Sequence, residues 1–189
     1  MEDETYRALV DDLRAALGGD EWPLAARVGD IDECERRAGV PMSPSYRAFL
    51  LIQDGWPDYA NGFTIVGADS AKYEAALRDI GETVDIERDE WRQTFGEDTP
   101  EAVARYEQEG SALNRLEADY SPYVPHKICF GTDFNGGLLF FDPKGRNARG
   151  EMRVFRWYVD SGTQAIFESF ADMLRADLAD AQAEKSDAR

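Results

Sequence analysis

Apolar residues recur at helical spacing from the start of the chain. Tyr6, Leu9, Val10, Leu13, Ala16 and Leu17 predict a helix over about residues 4–17, closed by Gly18-Gly19. Residues 20–29 read as a loop. Asp30 then offers an N-cap, with Glu33 at the capping-box position, for a helix that presents Ile31, Cys34 and Ala38 and closes at Gly39. Ser43 caps a third helix with Pro44 in its first turn. Its stripe is Tyr46, Phe49, Leu50 and Gln53, and Asp54-Gly55 ends it. The run FTIVG, Phe63 to Gly67, is the first strand. Ser70 caps a helix with Tyr73, Ala76, Leu77 and Ile80 on one side. Residues 82–99 are polar and acidic, anchored only by Trp91 and Phe95. Thr99-Pro100 opens another helix, with Val103, Tyr106, Leu113 and Leu116 in register, stopped by Ser121-Pro122 and Pro125.

From His126 the period changes to that of strands. KICFG and GLLFFD are short and aromatic, and Asn135-Gly136 between them reads as a type I′ hairpin pair. MRVFRWYV, Met152 to Val159, alternates. Phe155, Trp157 and Val159 fall on one face, and Met152, Val154 and Tyr158 on the other. Two apolar faces predict an interior strand, or one whose second face meets a helix or a partner. A last helix is predicted from about 163 to 181, with Ile166, Phe167, Phe170, Met173, Leu174 and Leu178 as its stripe. Strands joined by short turns and segregated from helices predict one α+β domain over residues 1–189. Its sheet is antiparallel, with helices from both chain ends on one face.

Charge narrows the partners. The chain carries 38 acids against 21 bases, a formal net charge of −17. Phosphate backbones and anionic lipid surfaces are repelled, so neither nucleic acid nor membrane is an expected partner. A basic protein is attracted and steered in. The acidic opening MEDETYRALVDD has no apolar core of a signal peptide, and no stretch of 18 apolar residues occurs, so a cytoplasmic location is expected. Cys34 and Cys129 have no C-x-x-C partner and read as small buried hydrophobes.

The search for chemistry comes back empty. Any Ser-His or Cys-His arrangement has to run through the single histidine, His126, and no nucleophile signature accompanies it. Cys34, Cys129 and His126 lack metal-ligand spacing. The stretch Asp133-Phe134-Asn135-Gly136-Gly137 is followed by no Lys-Ser/Thr of a phosphate loop. As a calcium loop it would place Leu138 at the sixth position and Lys144 at the twelfth, so a hairpin turn explains it better. Acids at this density form chance pairs, and Glu107-Glu109 and Asp11-Asp12 read as solvated faces. No cofactor, metal or catalytic residue is expected. Trp56 and Tyr59 stand out in the loop GWPDYANG, either as lids over a core or as binding anchors; Trp157 reads as core.

One resemblance gathers these pieces. The run IDECERRAGVPMSPSYRAFLLIQDG resembles the opening of the SUKH superfamily of the SMI/KNR type, at Glu35, Gly39, Pro41, Pro44, Tyr46, Arg47, Phe49, Leu50 and Gly55. HKICFGTDFNGGLLFFD is similar to that family's strand, Gly-rich turn and second strand, and SFADMLRADL to its closing helix. Asp54 stands where the family more often has Asn, and the interval 70–124 is longer than usual, as a helical insertion. The resemblance implies a curved antiparallel sheet with helices packed on one face. It further implies a non-catalytic immunity protein that neutralises a cognate secreted toxin, a nuclease or another nucleic-acid-modifying enzyme, or alternatively a regulatory protein–protein scaffold. A monomer or weak dimer is expected. Residues 85–119 contain eleven acids against four arginines. The expected partner-facing surface therefore joins Glu87, Asp89 and Glu90 to Trp56, Asp58 and Tyr59 of the neighbouring loop.

Overall fold

A computed structural model describes residues 3–18, 22–113 and 122–187. Gly19, Asp20, Arg115, Leu116, Glu117, Asp119 and Ser121 lie outside the described residues, as do the side chains of Glu109 and Leu113. Helices α1 (Asp3–Leu17), α2 (Val28–Ala38) and α3 (Pro44–Leu50) come first, then strand β1 (Thr64–Ile65) and helices α4 (Glu74–Phe95) and α5 (Pro100–Leu113). Strands β2 (Ile128–Thr132), β3 (Gly137–Asp142), β4 (Arg153–Tyr158) and β5 (Gly162–Phe167) follow, and α6 (Phe170–Asp187) closes the chain. The five strands form one antiparallel sheet in sequence order. The α+β class is the one expected.

Alternation along the strands builds two hydrophobic layers. Phe130, Leu139, Phe141, Met152 and Val154 meet Tyr46, Phe49 and Leu50 of α3, Val10 and Leu13 of α1, and Phe170 and Leu174 of α6. This is the expected covering of one face by helices from both chain ends. The opposite face is covered too: Leu138, Phe140, Phe155 and Trp157 meet Ala76 and Ile80 of α4. All six positions of β3 are therefore buried, and β4 is the interior strand its two apolar faces predicted.

Several local expectations are corrected. Residues 162–167 form a strand, not the first turns of the last helix, because β4 offers them a ladder. That helix starts only after Ser169, whose Oγ accepts the Asp172 N–H at 3.1 Å. The strand expected over residues 63–67 shrinks to Thr64–Ile65. The hairpin is not a type I′ pair at Asn135-Gly136. Its left-handed residues are Phe134 (φ 58°) and Gly136 (φ 87°), and the Asp133 carboxylate organises it by accepting the Asn135 and Gly137 N–H groups at 2.8 and 2.7 Å. Asp30 does not cap α2, which begins two residues earlier. It lies in the first turn and pairs with Arg27 at 2.8 Å. Ser43 does sit at the N-cap of α3 but makes no cap bond within the helix. Instead Glu151, more than 100 residues away, accepts the Ser45 N–H at 2.9 Å and both serine hydroxyls, joining α3 to the strand entry at Met152. Glu107 is no solvated face. Its side chain is 12% exposed and holds Lys127 at 2.7 Å and Lys144 at 3.0 Å, tying α5 to β2.

Candidate protein-binding face

Helix α4 is twice as long as its apolar start predicted. After Ile80 its inward stripe continues as Thr83, Val84, Glu87 and Trp91, so a glutamate occupies a core-facing position. That periodicity runs unbroken through the acidic stretch and was the signal that residues 82–95 are helical. Beyond the sheet, Trp91 nucleates a small separate cluster. Val103 and Tyr123 are buried against it, and its ring lies 4.7 Å from Phe95, 5.0 Å from Tyr106 and 4.5 Å from Tyr123. Tyr123 is pinned by donating its hydroxyl to Asp98 at 2.6 Å.

The cluster leaves a hollow of about 240 Å³ between α4, α5 and the end of β4. Glu87 and Glu90 stand on one wall, and Trp91, Phe95, Tyr106 and Tyr123 form the others. Burial, with a smaller contribution from the Glu90 charge, pushes the Glu87 carboxyl up to about 7. Val159 also borders a second hollow with Asp79, Glu82, Ile86 and Asp160 on its rim. Four of the eight large hydrophobic residues exposed among the described residues belong to this side: Ile86, Phe95 and Val159 line the hollows, and Phe134 adjoins the second through Asn135. Exposed apolar groups therefore stand among carboxylates on this side of the molecule.

The residues expected to share one surface fall on opposite sides of the sheet. Asp89 and Glu90 are exposed on α4, and Glu87 is half-buried. Trp56 and Tyr59 are corrected: they are 1% and 2% exposed and cannot serve as surface anchors. Trp56 packs against Trp22 and Phe49, while the Tyr59 hydroxyl donates to Asp177 of α6 at 2.7 Å. Both sit in the layer on the α6 side of the sheet, opposite α4. Asp58 is exposed but stays with that loop, held at φ 51°. What sequence reasoning missed is that the aromatic members of the acidic face are Trp91, Phe95, Tyr106 and Tyr123.

His126 is exposed and edge-on to Tyr123 at 4.7 Å. Desolvation pushes the Cys129 thiol up to about 12. Among the described residues no group of three His, Cys, Asp or Glu side chains converges, and no helix is long and apolar enough to cross a membrane.

The model of the SMI1 / KNR4 family (SUKH-1) matches residues 26–176, from the loop before α2 into α6. The chain belongs to this family. No curated protein matches it. SUKH domains are generally non-catalytic and include toxin-immunity proteins. In this member the signature residues are scaffold. Glu35 accepts the Met42 N–H at 3.0 Å and lies 3.5 Å from Arg47, fixing the turn between α2 and α3. Tyr46 is at the centre of the aromatic core and donates its hydroxyl to the Val66 carbonyl. Asp54, 1% exposed, accepts the Ala68 N–H at 2.6 Å, and Gly67 packs so tightly on its backbone that a Cβ there would lie 2.6 Å from the Asp54 carbonyl oxygen. The α4 face is made mainly from the interval 70–124, joined by Trp157 and Val159 at the end of β4 and by the hairpin at Asn135-Gly136.

Proposed function

We propose that this SUKH domain is an immunity protein. It binds a cognate secreted polymorphic toxin with a basic surface, a nuclease or another nucleic-acid-modifying enzyme, and blocks it in the bacterial cytoplasm without chemistry of its own. The observation that supports this best is the α4 face, where exposed Ile86, Phe95 and Val159 stand among carboxylates on a chain of net charge −17. An enzyme that grips nucleic acid needs a basic groove, and an acidic, partly apolar face competes for it. Asp89 and Glu90 lie at the rim, where charge sets association rate, and the apolar groups supply the contact area.

The test is to look for a toxin domain encoded beside this chain, to co-express the two and to measure their binding kinetics. Cell survival and a stable complex are expected. Charge reversal at Glu87, Asp89 and Glu90 should slow association at low salt while the melting curve stays cooperative, and added salt should slow the wild type toward the variant. Failure to bind or protect against that domain would refute the immunity role. Association that is unchanged by the reversal and insensitive to salt would refute the docking surface.

A further inference from the structure

We propose that the hollow between α4 and α5 is a receptor for one cationic side chain, an arginine presented by the protein partner. The proposal rests on the binding role above and assigns it a specific anchor. Four observations converge on it. Its walls are aromatic: Trp91, Phe95, Tyr106 and Tyr123 surround the space, and a guanidinium stacks on such faces. Two carboxylates enter it from the same helix, Glu87 and Glu90, spaced one turn apart and suited to the planar fork of an arginine.

Neither carboxylate has an ion-pair partner among the described residues. The nearby arginines of α4 are engaged elsewhere: Arg88 holds Asp85 and Arg92 lies 3.7 Å from Asp89. Glu87 is thus a half-buried acid at a core-facing position with no counter-ion among the described residues, an arrangement that a cation from outside would complete. The fourth observation is independent of the acids. Trp91 is nine-tenths buried, lines the hollow, and its Nε1–H has no hydrogen-bond acceptor among the described residues. A buried donor without a partner is uncommon, and it marks the indole as a group whose surroundings change when the hollow is filled. Aromatic walls favour arginine over lysine, since the guanidinium is flat and less strongly hydrated than an ammonium.

The pocket can be tested without any toxin. The full chain, labelled with ¹⁵N, is titrated with N-acetyl-arginine amide, its lysine counterpart and the neutral citrulline isostere. The Trp91 indole resonance, assigned with Trp91→Phe, is the reporter. Saturable shifts with arginine, several-fold weaker ones with lysine and none with citrulline are expected. Glu87→Gln with Glu90→Gln should weaken the arginine response at least tenfold while the amide spectrum shows an unchanged fold. Equal response to citrulline, no saturable shift, or a response that survives both substitutions overturns the receptor. In the toxin assay the two readings separate. Protection that is indifferent to Glu87→Gln and Glu90→Gln leaves the immunity role standing and removes the pocket. Arginine binding by a chain that protects against no toxin leaves the pocket and removes the role.

Discussion

Asp177 is the residue whose loss the fold should feel most sharply. Its carboxylate is 1% exposed on α6 and receives three hydrogen bonds. The Tyr59 hydroxyl donates one at 2.7 Å, and Arg156 Nη2 donates to its two oxygens at 2.7 and 2.9 Å. The Arg156 guanidinium lies over the rings of Phe63 and Phe167, with 12% of its side chain exposed. Asp177→Asn keeps the volume but removes the charge, so a nearly buried guanidinium is left without a counter-ion. Deleting one partner of a buried ion pair costs about 3–5 kcal/mol. The Tyr59 bond to a charged acceptor, about 1.5–3 kcal/mol by itself, is weakened within the same loss and does not add in full. We expect about 4 kcal/mol, read as a shift of the urea midpoint at constant slope, with Tm lower by roughly 8–16 °C for a chain of this size. Tyr59→Phe should cost about 1.5 kcal/mol. Replacing both charges, Arg156→Met with Asp177→Leu, should recover most of the Asp177→Asn loss, since no unpaired charge remains. If Asp177→Asn stays within about 1 kcal/mol of wild type, the network is hydrated and the account of why Tyr59 is buried fails.

Two further outcomes follow from the core and from Glu87. Phe49→Ala and Leu174→Ala each empty a fully buried site in the larger layer and should cost about 2–5 kcal/mol by chemical denaturation; unchanged midpoints would contradict the packing of α3 and α6 on one sheet face. Glu87 titrates at about 7 in the folded chain and near 4.3 when unfolded, so between those values the unfolded state releases its proton first and wild-type stability falls as pH rises. Glu87→Gln cannot ionise. It should therefore exceed wild type by about 1 kcal/mol at pH 8, a figure reduced for the partial exposure of the site, and match it at pH 4; a difference independent of pH would show that Glu87 is not held in the apolar hollow.

Local pattern carried much of this fold. The stripes of α1 and α3, the Thr99-Pro100 start of α5 and the double-faced alternation of β4 are properties of short windows, because a helix or strand must place its apolar residues at its own period to bury them. The family resemblance rests on the same windows, since Glu35, Tyr46, Arg47 and Phe49 each build the junction of α2, α3 and the sheet. Other features depended on partners far along the chain. Residues 162–167 fit a helical stripe with Phe170 and Leu174, yet they are a strand because β4 presents unpaired backbone groups that a helix could not satisfy. Trp56 and Tyr59 read as binding anchors in a Gly/Pro loop. They are sealed inside because Asp177, 118 residues beyond Tyr59, supplies the buried acceptor that its hydroxyl needs. Glu87 shows the same division. Its place in the stripe of α4 marks it as inward-facing, but whether an inward glutamate meets a wall or a hollow depends on how α5 and Tyr123 pack around Trp91. Periodicity determines direction along an element; what lies in that direction is a matter of long-range packing.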